Sequence, residues 1–166
     1  MRTAIWATLM LLFLPVAGFT QTLPTAKGDI ILTVSWNGSD QAGGMAELDL
    51  EVLSTLGTKI LVTETIWTDG PQEFEGVELT TLTDALGIST GTLKAIAHND
   101  YAVEIPLSDV TTKGALIAFK RNGDTMHLRE KGPIWIVFPY DHDAMYRSEV
   151  VHSRSIWQLA RIEILQ

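Results

Sequence analysis

Three groups of polar residues in this sequence are of types that can do chemistry. The first is His98-Asn99-Asp100-Tyr101, a polar link between two short apolar runs at 93–97 and 101–105. An imidazole, a carboxamide, a carboxylate and a phenol in succession can form one edge of a polar pocket, because loops on a rigid scaffold carry binding groups. The same four residues also suit a tight turn in which Asn99 or Asp100 takes a left-handed backbone angle. The second group is Arg129, Arg147 and Arg154. A guanidinium grips a phosphate or a small oxyanion through paired hydrogen bonds. Arg154, between Ser153 and Ser155 and just ahead of a predicted strand, is the best placed. In a chain with 20 acidic residues the other two suit salt bridges. The third group is Asp141-His142-Asp143, which has the look of a metal triplet. Neighbouring side chains of an extended segment point to opposite faces and do not converge on one ion. The four histidines show no zinc-ligand spacing.

The composition excludes several chemistries. The chain has no Cys, so no disulfide and no thiolate metal site can form. No nucleophile elbow, Walker loop or Rossmann glycine pattern is present. The net charge of −8 argues against nucleic acid and against an anionic membrane surface as partners. The apolar fraction of 46% and charged fraction of 19% are those of a globular chain.

The elements that must position these groups can be read from periodicity. The β-branched run at 30–36 predicts a strand closed by Asn37-Gly38, and 39–44 a polar loop. Leu48, Val52, Leu53 and Leu56 at helical spacing predict a helix over 48–57, with Asp49 as N-cap and Gly57 as its stop. Residues 59–67 predict a strand, 69–71 a turn, 74–77 a short extended piece and 79–87 a compact helix. Strands are expected at 93–97 and 101–105, the second stopped by Pro106, with one helical turn at 107–110. The runs at 116–121 and 125–128 flank Asn122-Gly123, a strong hairpin signal. A buried strand follows at 134–138, a loop or short helix at 139–147, and a last strand at 157–165. Strands outnumber helices without a βαβ rhythm, which predicts a single α+β domain with a mixed sheet and a few short helices. Three of Trp36, Trp67, Trp135 and Trp157 are expected to be mostly buried, with Trp67 free to line a pocket.

At the N-terminus, Arg2 precedes an apolar run over 4–16 broken by Pro15, with small residues at 17–20. This is the pattern of a secretory signal, too short for a comfortable membrane span. The expectation is a signal peptide at 1–20 and a periplasmic or secreted domain at 21–166, with no membrane contact after cleavage. Arg2 stands without a second arginine, which points to general secretion of an unfolded chain.

Four segments taken in order carry a resemblance. They are FEGVELTTLTDALG at 74–87, AIAHNDYAVEIPLSDV at 95–110, ALIAFKRNGDTMHLREKGPIWIVFP at 115–139 and SRSIWQLARIEI at 153–164. Together they resemble the molybdopterin-binding oxidoreductase domain of the sulfite oxidase family. That resemblance implies a sulfite-oxidase-type molybdopterin-binding fold, with molybdopterin as the implied cofactor and two-electron oxygen-atom chemistry on small oxyanions or sulfoxides. It draws Thr65, His98, Asp100, Tyr101, Arg129, Ser153 and Arg154 toward one cofactor- or ligand-binding pocket. In the family's enzymes a Cys thiolate ligates molybdenum just before the Gly-Val-x-Leu segment. The corresponding stretch here is Thr63-Glu64-Thr65-Ile66-Trp67, whose hydroxyls and carboxylate are harder donors than a thiolate. The expected function is therefore an exported module that binds a small-molecule ligand or an extracytoplasmic protein partner without Cys-ligated molybdenum catalysis. The alternative is a molybdopterin-dependent oxidoreductase acting on a small oxyanion or sulfoxide.

Overall fold

The computed structural model describes residues 23–37 and 43–165. The expected signal segment at 1–20 and most of the loop at 39–44 lie outside the described residues. Among the described residues, two sheets pack around one core. The first is mixed, in the order β2-β1-β10-β5-β6. It is built from β1 (Leu32–Trp36), β2 (Gly44–Leu48), β5 (Thr92–Ala97), β6 (Ala102–Pro106) and β10 (Leu159–Leu165). Its one parallel pair joins β1 to β10, far apart in sequence, and the other pairs are antiparallel. The second sheet is antiparallel. It contains β3 (Lys59–Glu64), β4 (Pro71–Glu78), β7 (Leu116–Arg121) and β8 (Asp124–Thr125), and β9 (Trp135–Val137) pairs with β7. Three short helices, α1 (Leu50–Thr55), α2 (Leu79–Ala85) and α3 (Glu149–Arg154), fill the connections. The predicted α+β class with a mixed sheet is the observed one. No described helix is long and apolar enough to cross a membrane.

Local chemistry explains the joints. Asp49 caps α1 by accepting from the Val52 N–H, and its other oxygen accepts from the N–H groups of Lys27 and Gly28. These bonds, Val52's first, then those of Gly28 and Lys27, favour the carboxylate and hold its pKa below the ordinary value. The cap thus ties the N-terminal stretch to the helix. Asn122 and Gly123 both take positive φ, as a two-residue hairpin turn between β7 and β8 requires. Gly76, in the FEGV segment, lies where a Cβ would stand 2.1 Å from the Ile117 carbonyl oxygen. Only glycine allows β4 and β7 that approach, and the register shifts at this point.

The predicted elements differ from the structure in several places. The strand begun at Lys59 stops at Glu64, because the Thr65 hydroxyl accepts from the Trp67 N–H and turns the chain. Pro106 ends β6 from within the strand. The run at 125–128 pairs only through Thr125, and Leu128–Glu130 forms a 3-10 turn instead. The last strand begins at Leu159, with Trp157 making an isolated bridge to Trp135. Leu48 ends β2 rather than opening a helix, and residues 149–154 form α3 in a place with no predicted element.

Candidate functional site

The site lies at the seam of the two sheets, where three connections meet. The chain leaving β3 brings Trp67. The turn between β5 and β6 brings Asn99 and Tyr101. The passage from α3 into β10 brings His152, Ser153, Ser155, Ile156 and Trp157. With Ala97 at the end of β5, these residues line a pocket of about 490 Å³. Ser148 opens α3 by accepting from the Val151 N–H, and the helix then carries His152 to the pocket wall.

Trp67 is the hub of the aromatic packing. Its ring meets Trp135, Tyr140, His152 and Trp157 edge-on, at centroid distances of 5.9, 6.4, 5.8 and 5.5 Å. Edge-to-face contact sets the positive rim of one ring against the negative face of another. Trp135, fully buried, closes the rear and donates its indole N–H to the Ser155 carbonyl. Tyr140 donates its hydroxyl to Ser155 Oγ, which in turn donates to the Val151 carbonyl. Burial pushes the Tyr140 phenol up to about 12, against the smaller downward pulls of its hydrogen bonds with Ser155 and Phe138. Lys131 sets its ammonium over the Trp157 ring, 4.5 Å from the centroid. Of the four tryptophans, Trp135 is fully buried, Trp36 and Trp67 are partly buried and Trp157 is 37% exposed.

Of the residues drawn together by the sequence, Tyr101 and Ser153 line the pocket. The other five do not. Thr65 is buried, its hydroxyl bonded to Thr68 Oγ1 and to the Trp67 N–H. His98 is exposed in the turn. Asp100 supplies the left-handed residue of that turn, at φ 64°, and pairs with Arg161 at 2.8 Å. Arg129 is exposed on the 3-10 turn Leu128–Glu130. Arg154 ends α3 shortly before β10 opens at Leu159, and pairs with Asp109 at 2.9 Å. Arg147 is spent on the Tyr140 carbonyl. In the Asp141-His142-Asp143 triplet, Asp141 accepts from the Glu64 N–H and Asp143 caps the Met145 N–H. Asn99, read from the sequence as part of a polar pocket edge but not among the seven, also lines the pocket, and sequence reasoning missed His152. The signal for His152 was the Ser148-Glu149 helix start, outweighed by the two valines that follow.

The residues at the place of the family's thiolate do not fit a molybdenum centre. No Cys is present, and no three His, Cys, Asp or Glu side chains gather among the described residues. Thr63 and Thr65 have their hydroxyls committed to other protein groups. The pocket lining has no Lys or Arg to hold a cofactor phosphate.

No protein-family model matches the sequence, and comparison with curated proteins finds no relative. Among solved structures, the chain matches the sulfane dehydrogenase SoxCD from Paracoccus pantotrophus, with a TM-score of 0.56 and 19% identity. The match covers 81% of this chain and 38% of that one. This chain therefore has the fold of part of an oxidoreductase, in agreement with the architecture that the ordered segments imply. At that identity the likeness is one of fold.

Proposed function

We propose that this chain is an exported small-ligand-binding module on an oxidoreductase-type fold, with the pocket beside Trp67 as its seat. The observation that carries this reading is the contrast between a formed aromatic pocket and a neighbouring segment that offers no thiolate. A concave, mostly apolar site with a few polar groups is the usual form of a small-molecule site. Fold alone does not carry catalysis with it. The N-terminal arginine and apolar run support export to the periplasm or the medium. An extracytoplasmic protein could receive the loaded module. The fold match to a dehydrogenase favours a second reading, an oxidoreductase holding molybdopterin through oxygen or nitrogen donors.

Purification from the native compartment followed by elemental analysis separates the two. The binding-module reading expects no stoichiometric molybdenum under conditions that load an enzyme of the sulfite oxidase family. Near one molybdenum per chain would overturn it.

A further inference from the structure

We propose that the pocket selects an uncharged ligand with a flat apolar body and a hydrogen-bonding edge, and turns away anions. This rests on the reading of the pocket as a ligand seat. The walls set the shape. The rings of Trp67, Trp157 and Tyr101, with Ala97 and Ile156, offer apolar and π surface to a flat molecule.

The polar edge is set by groups with nothing else to do. The Asn99 side-chain oxygen accepts from the Tyr101 N–H at 3.2 Å, which fixes the amide orientation and leaves its NH2 group to donate. That NH2, the Tyr101 hydroxyl and the His152 imidazole nitrogens make no hydrogen bond to any described residue. They give a ligand both donors and acceptors.

Charge is excluded from two sides. The lining has no Asp, Glu, Lys or Arg, and its ionisable groups are the His152 imidazole and the Tyr101 phenol, so an ion entering it meets no carboxylate, ammonium or guanidinium in the walls. The cations attached to the lining or next to it in sequence are committed. Lys131 sits on Trp157, Arg154 pairs with Asp109, and Arg161 pairs with Asp100. Both guanidinium groups are thus neutralised by carboxylates, the Lys131 ammonium is held against the Trp157 face, and the net charge of −8 repels an anion at longer range. A cation would find aromatic faces, but Trp157 already carries the Lys131 ammonium, and a second positive charge would meet a like one.

Three probes with one ring system test this on the mature protein: 2-naphthol, naphthalene-2-sulfonate and 2-naphthyltrimethylammonium. Calorimetry gives the affinities, and the indole N–H resonances of Trp67 and Trp157 report where each probe sits. The expected result is that 2-naphthol moves both resonances and binds at least about tenfold tighter than either ion, about 1.4 kcal/mol. Asn99→Ala and Tyr101→Phe, at exposed positions, should each weaken 2-naphthol several-fold. Either ion binding at these resonances as tightly as 2-naphthol would overturn the charge selectivity and leave the ligand seat standing. Silence of both resonances with all three probes would overturn the seat and the inference together.

Discussion

The segment from Thr63 to Thr68 and the rim of the pocket share Trp67, yet their polar groups are treated in opposite ways. In the segment, Thr65 Oγ1 bonds Thr68 Oγ1 and takes the Trp67 N–H, while Asp141 accepts from the Thr63 hydroxyl and the Glu64 N–H. Each of these groups has its partner within the protein. At the rim, the Asn99 NH2, the Tyr101 hydroxyl and the His152 imidazole point to no described partner. A closed network rigidifies and holds a neighbour in place, whereas open polar groups beside an apolar wall are available to something from outside. The stretch that the resemblance would match to the metal-ligand region is thus the closed one here. The open polar groups are one connection away.

The largest blow to both regions should come from Trp135, the fully buried ring behind Trp67. Trp135→Ala removes a whole buried indole and its bond to the Ser155 carbonyl. A loss of about 3–5 kcal/mol is expected in urea unfolding. A loss under about 1 kcal/mol would mean the two regions do not rest on a common core.

Tyr140 gives the next effect, on the alkaline side. Its phenol holds a proton more tightly in the folded protein, about 12 against 10.0. The unfolded chain releases that proton first, so the contribution is complete below pH 10 and is lost as pH rises toward 12. The shift corresponds to about 2–3 kcal/mol. Tyr140→Phe should flatten this decline when stability is followed across pH 10, and an unchanged decline would remove Tyr140 from the account.

Thr65→Val tests the closed region directly. It leaves the Trp67 N–H without its acceptor, and a cost of about 1–2 kcal/mol is expected. Because the turn places Trp67, ring-current shifts of the Trp157 indole should change as well. Stability lost with unmoved Trp157 resonances would separate the network from the pocket.

The contrast between the regions was only partly legible in the sequence. Asp49 as a cap and the Asn122-Gly123 turn were readable because their partners lie within three residues. β2 was hidden by Gly43-Gly44, which reads as loop, and its strand character comes from pairing with β1. The joining of β1 to β10 is a long-range pairing that no local pattern encodes. Tyr101 and Ser153, named from the sequence, line the pocket, whereas His152 was not named, since Val150 and Val151 weaken the helix signal that carries it. The arginines suit oxyanions by type, but the Tyr140 carbonyl takes Arg147 and Asp109 takes Arg154, the second across 45 residues that no local pattern links.

The smallest expected effect on stability sharpens the comparison most. Tyr101 is 54% exposed, and its hydroxyl binds no described residue. Tyr101→Phe removes only that oxygen and keeps the ring on the pocket wall. Stability should stay within about 0.5 kcal/mol of the parent, as for most surface changes. In Thr65→Val the fold loses a bond it was using; in Tyr101→Phe the fold loses nothing and a ligand loses a partner. If the phenylalanine variant unfolds as readily as the Thr65 variant, the rim is part of the scaffold and its groups were never open. If it keeps full stability and 2-naphthol dissociates faster from it, the hydroxyl is held for a molecule that comes from solution.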